Sequence, residues 1–176
     1  MNLSFENISA EQIKTSQIIA FALGLGISLF FGIMLFFYFY NYSQIQYTAN
    51  NKSTFEILMY ICLAVFLLTI TLSIYQPISI VKKQFNKFKN SELSKENVDE
   101  LVGIHRTYLI IRLALLEGSA LFGLVVFFLS VQSFEIYSFP VYWICTIPAF
   151  VMILFVVILF PTRTKLSYFI VENLQN

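Results

Sequence analysis

The chain has 176 residues, 58% of them hydrophobic and only 12% charged, with a formal net charge of +1. A water-soluble domain of this size carries about twice that share of charge, so the composition excludes an ordinary soluble fold. With two cysteines and one histidine there is no disulfide framework and no metal-ligand spacing, and neither a metal nor another cofactor is expected.

The apolar residues fall in four long runs, at about 16–40, 55–75, 107–131 and 139–160. Each has about 20 residues or more, enough at 1.5 Å per residue to cross a hydrocarbon layer of about 30 Å. Backbone polar groups in lipid must bond to one another, which makes each run a helix. The strands of a membrane barrel are about 10 residues long and alternate apolar with polar, unlike these runs. The expected fold class is all-α integral membrane, four transmembrane helices in a single domain, 1–176.

From the N-terminus, Ser9 and Gln12 make a capping box for the first helix. A leader with Glu6, Glu11 and Lys14, and the length of the first run, argue against a cleaved signal peptide. Span one carries small residues at helical spacing, with Gly24, Ser28 and Gly32 on one stripe and Ala22 and Gly26 on another. Lipid gives helices little hydrophobic drive to associate, so close backbone approach at small residues supplies the packing. These stripes are expected either to join spans one and three within the chain or to form an oligomer interface. Asn41-Tyr42-Ser43 and Asn51-Lys52-Ser53 in the following loop fit the glycosylation triplet. Cys62 in span two and Cys145 in span four sit in like surroundings (Tyr60-Ile61-Cys62 and Trp143-Ile144-Cys145) and are expected to be small apolar packing residues.

Pro77 is expected to close span two. Beyond it Ile78, Val81, Phe85 and Phe88 share one helical face, with Lys82, Lys83, Lys87 and Lys89 on most of the rest. That is a short amphipathic cytoplasmic helix suited to the headgroup layer of anionic lipid, and beside a span end lipid is a better reading than nucleic acid. The tail after Pro161 repeats the pattern with Leu166, Phe169, Ile170 and Leu174. Nine Lys and Arg residues lie in the leader, the segment between spans two and three and the tail, against Lys52 alone in the other loops. That bias puts both termini in the cytoplasm, in an inner or plasma membrane.

The chain also reads as a duplication. Leu3-Ser4-Phe5-Glu6-Asn7-Ile8-Ser9 recurs as Leu93-Ser94-Lys95-Glu96-Asn97-Val98-Asp99, and Lys14 to Phe36 matches Arg106 to Phe128 at 9 of 23 positions. Chance would give roughly one in ten. Repeat one is 3–89, the linker 90–92 and repeat two 93–176. Each repeat is a hairpin of two spans, so the tandem copies are parallel and their pseudo-two-fold axis lies along the membrane normal.

In span three Ala114, Gly118, Ser119 and Gly123 continue the small-residue pattern, but Glu117 stands where span one has Leu25. An ionised acid near mid-depth costs at least about 2.5–3.5 kcal/mol, and intramembrane acids are functional candidates by default. Glu117 either binds a proton or small cation reversibly, or fixes packing as a protonated carboxyl. Arg112 precedes it by five residues and does not share its face. It is expected to snorkel to the headgroups or to pair with Glu117 of a neighbouring chain. His105 reads as an ordinary interface residue.

The run Ala114 to Val126 resembles the ion-binding helix of the rotary ATP synthase proteolipid (c subunit). That helix carries an acid followed four residues on by an aliphatic, an aromatic, then Gly-Leu-Val, here Glu117, Leu121, Phe122, Gly123, Leu124 and Val125. The resemblance implies that Glu117 is the ion carrier and that the chain stands in a ring. The expected function is a small oligomeric membrane protein binding or passing a proton or cation at a buried carboxyl. The alternative is a non-transporting accessory or scaffold subunit of a membrane complex. No nucleophile–base pair or phosphate loop is present, and an enzyme is not expected. The partners expected are the bilayer and either further copies or other membrane subunits.

Overall fold

The computed structural model describes residues 9–42, 52–88 and 95–175. Among them every regular element is a helix: α1 (Ala10–Tyr42), α2 (Lys52–Phe85), α3 (Lys95–Gln132), the one-turn α4 (Glu135–Ser138), a 3-10 helix (Pro140–Thr146), α5 (Ile147–Leu159) and α6 (Arg163–Gln175). Four stretches are long and apolar enough to cross a membrane: Ala10–Tyr42, Phe55–Phe85, Asn97–Gln132 and Pro140–Leu159. The last joins the 3-10 helix to α5. Repeat linker 90–92 and the leader's first copy of the repeat lie outside the described residues.

The helices overrun the expected spans at the end where α1 begins, the proximal end. Pro77 does not close span two, because α2 continues through it to Phe85. A proline inside a helix loses a backbone hydrogen bond and crowds the preceding turn, at a cost of about 3 kcal/mol. Packing beyond the proline opposes that cost. Val81 and Phe85 are buried in a second core with Val98, Leu101, Val102 and Ile104 of α3 and Leu166 and Ile170 of α6. The amphipathic segments expected to lie separately in the headgroup layer therefore turn much of their apolar faces toward one another. At 38 residues, α3 is about 57 Å long, and the excess over a bilayer core is its proximal extension.

α3 is the axis of the bundle. α1, α2 and α5 all pack along it and α5 also packs on α1, whereas α1 and α2 share no packed face. Only α3 buries enough of its circumference to allow this. Leu109, Leu113, Leu116, Ala120 and Leu124 enter a core with Ala20 and Ile27 of α1 and Ala149, Met152 and Val156 of α5. Around the same helix Val126, Phe127 and Val131 join a distal core with Met59 and Cys62 of α2 and Tyr142 and Cys145 of the 3-10 helix.

α1 and α3 run parallel and almost in register. Gln12 Nε2 donates to Asp99 Oδ1 (2.8 Å) at one end, and Asn41 Nδ2 donates to the Val131 carbonyl (3.4 Å) at the other. Between them Phe37 meets Phe128 edge-on at 5.6 Å. Asn41 is 8% exposed, so its amide works as an internal donor and is closed to glycosylation; Asn51 lies outside the described residues.

The distal end is capped by aromatic rings. Phe134 adopts a left-handed conformation (φ 61°), which turns the chain from α3 into α4. Tyr38 then stacks on Tyr137 (5.1 Å) and meets Trp143 edge-on (5.1 Å), and the Tyr137 hydroxyl donates to the Tyr38 carbonyl (2.5 Å).

Candidate functional site

The candidate site is the outward face of α3 and the flank that carries Glu117. At 100° per residue, Ile110, Ala114, Gly118, Leu121, Val125 and Leu129 share one face, and all six are exposed. Glu117 lies at the margin of that face and is half-buried. Phe128 is eleven residues on, three turns along the same flank, and it touches Phe37 of α1. The Glu117 flank is therefore the α1 side of α3, and the parallel register sets Glu117 level with the turn around Ile27. No hydrogen bond or ion pair to Glu117 occurs within the described part of the chain.

The small residues divide into two groups. Gly24, Ser119 and Gly123 are buried. A Cβ at Gly24 would sit 3.1 Å from Val156 Cγ1 of α5, and one at Gly123 would collide with the Cys145 carbonyl oxygen. Gly24 makes room for the Val156 side chain of α5 and Gly123 for the backbone of the 3-10 helix, so neither closes spans one and three together. Ala22, Gly26, Ser28, Gly32, Ala114 and Gly118 are exposed, and a Cβ at Gly26, Gly32 or Gly118 meets nothing within 4 Å. Ser28 turns its hydroxyl inward, donating to the Gly24 carbonyl (2.8 Å). The expected face-to-face stripes thus leave most of their members on the outside.

Arg112 is occupied within the chain. Its Nη1 donates to the Tyr108 hydroxyl (2.5 Å), and its guanidinium lies 5.8 Å from the Tyr108 ring and 5.1 Å from the Phe155 ring of α5. The side chain runs back toward the proximal end, away from Glu117. Its partners are two rings and a hydroxyl, not the carboxylate of Glu117. Arg–aromatic contacts of this kind stabilise by about 0.5–2 kcal/mol.

Lys82 and Lys83 are exposed on the proximal extension of α2 and Lys87 in the turn just beyond it; Lys89 lies outside the described residues. Sequence reasoning missed the grouping around them. His105 and Tyr108 of α3 gather with Phe169 of α6, the His105 ring meeting Phe169 edge-on at 4.8 Å and Tyr108 lying 5.2 Å from Phe169. The i, i+4 pair Tyr108–Arg112 was the available signal for the α3 half of this cluster. No periodicity could place α6 against it. Likewise Cys62 and Cys145, both free, meet in the distal core. Among the described residues no three His, Cys, Asp or Glu side chains gather as a metal site would require.

Compared with known family models, curated proteins and solved structures, the chain matches none.

Proposed function

We propose that the chain is a membrane-embedded assembly subunit whose α3 face docks a further transmembrane helix, with the Glu117 carboxyl as the polar anchor. The observation that carries this reading is the position of Glu117. It lies half-buried beside Ala114 and Gly118, where, among the described residues, a Cβ at Gly118 meets nothing within 4 Å and no group pairs with the acid. An acid facing lipid without a partner is costly at that depth. A helix laid over Ala114 and Gly118 approaches closely enough to give the carboxyl a hydrogen-bond donor. The partner is a second copy or another subunit with a hydroxyl, amide or basic group at that level. Arg112 of a neighbouring copy does not fit this role, since it is held by Tyr108 and Phe155.

The second reading is the reversible binding of a proton or small cation by Glu117, favoured by the lack of a partner among the described residues. The two separate in one experiment. The full-length protein is reconstituted in liposomes and its oligomeric state is counted by single-molecule photobleaching, with proton and cation flux measured on the same preparations. Docking predicts association in the parent protein, loss of at least about tenfold in association constant for Glu117→Leu, and similar loss for Gly118→Leu, without any flux. Parent protein that stays monomeric, both alone and with the membrane proteins it copurifies with, sinks docking. Flux abolished by Glu117→Gln with association intact establishes the ion reading instead.

A further inference from the structure

Cys62 and Cys145 belong to elements far apart in sequence, α2 and the 3-10 helix, yet they share the distal core. They are only 1% and 0% exposed. Gly123 of α3 lets them meet. Cys62 Sγ lies 3.4 Å from the point that a Cβ at Gly123 would occupy, and the Cys145 carbonyl carbon lies 3.4 Å from the same point. The sulfur of one and the backbone of the other are thus parted by the space of one missing side chain, and the two side chains interact. A disulfide spans a gap of this kind, its Cα atoms standing about 4.4–6.8 Å apart.

A thiol packs as a small hydrophobe anywhere in an apolar core, so packing alone gives no reason for two to meet. The chain has two cysteines, and the fold brings both to one point. Each also stands within about two turns of the distal end of its span, Phe55–Phe85 or Pro140–Leu159. The loop charges are expected to set that end away from the cytoplasm, on the side where disulfides persist.

We infer that Cys62 and Cys145 are a reversible redox pair whose disulfide pins α2 to the 3-10 helix. The structure holds the reduced form, with both thiols free. Closure removes two electrons and two protons. With hydrogen peroxide as the oxidant, one sulfur attacks a peroxide oxygen, the O–O bond breaks, and a sulfenic acid and one water result. The second sulfur then attacks the first, the S–S bond forms as the S–O bond breaks, and a second water leaves. Two thiols and one peroxide give one disulfide and two waters. The oxidant must be small and uncharged, because neither side chain is open to solvent. A dithiol reverses the step by exchange. The bond closes a loop that contains the whole of α3, and so restrains the unfolded chain. It also ties down a helix that shares no packed face with α1. This inference is independent of the docking role of Glu117.

The test uses the full-length protein in liposomes. Reduced protein is treated with hydrogen peroxide without denaturant, then denatured, and its remaining thiols are alkylated before mass spectrometry. The expected product is a chain lighter by two hydrogens than the reduced one, carrying no alkyl group, with the peptides of Cys62 and Cys145 joined. Its unfolding temperature in detergent should rise by about 5 °C over that of the reduced chain and return after dithiothreitol. Cys62→Ala and Cys145→Ala should each abolish the joined peptides and the peroxide-dependent rise. Should either variant fail to fold, the peptides mapped in the parent protein still decide. Full alkylation of both thiols after peroxide, oxidation to sulfinic acid without a bond, or a bond only between separate chains overturns the inference.

Discussion

α1 and α3 are both long apolar helices that match at 9 of 23 positions from Lys14 and Arg106 onward, but half of the most apolar window of α3 is buried against 22% of that of α1. The aligned positions show where they part. Gly24 and Leu116 are both buried, as are Ile27 and Ser119. Ala22 and Ala114 both face out, as do Gly26 and Gly118. The difference lies on a second face. Leu113 and Ala120 are fully buried, while their counterparts Phe21 and Ser28 are exposed, Phe21 by 60%. α3 has neighbours on three sides and α1 on two. An apolar pattern fixes which faces can pack, and the number of neighbours decides which of them do.

The largest expected effect tests that second face directly. Leu113→Ala should destabilise the protein by about 3 kcal/mol, because the lost dispersion contacts leave a cavity in a shared core. Phe21→Ala at the aligned place should change stability by less than about 0.5 kcal/mol. Thermal unfolding in detergent, followed by helical circular dichroism, measures both, and equal losses would break the comparison. Next in size is a pair of glycines on α3 itself. Gly123→Val forces the Cys145 backbone away and should cost about 2 kcal/mol, whereas Gly118→Val should leave monomer stability unchanged, since nothing lies within 4 Å. Arg112→Met keeps much of the stem but loses the Tyr108 hydrogen bond and the ring contacts, and should cost about 1 kcal/mol. Gln12→Ala removes an exposed hydrogen bond between the first turns of α1 and α3. Its expected cost is about 0.5 kcal/mol at most, read as faster amide exchange in the first turn of α1 with the unfolding temperature nearly unmoved.

Part of the candidate site could be read in advance. Glu117 stands out in a run of leucines, and helical spacing alone puts Ala114 and Gly118 beside it. Whether that face was covered could not be read, because small residues serve interior and exterior contacts equally. Gly118 and Gly123 look alike in sequence, yet one is open and the other lies under a carbonyl oxygen. The fate of Lys82 and Phe85 was hidden for a related reason. An amphipathic helix presents the same pattern to a membrane surface as to another helix, and α6, some 80 residues further along the chain, supplies the partner.

By itself the sequence determined the helical class and the four apolar stretches, because composition and run length leave the backbone few other ways to satisfy its hydrogen bonds. Tertiary structure alone decided that α3 is the axis, that α2 runs on through Pro77, that Arg112 turns to Tyr108, and that the proximal segments cover one another. Those outcomes depend on which of several equally apolar faces meet, and in a chain so uniformly apolar, shape complementarity between distant segments makes that choice.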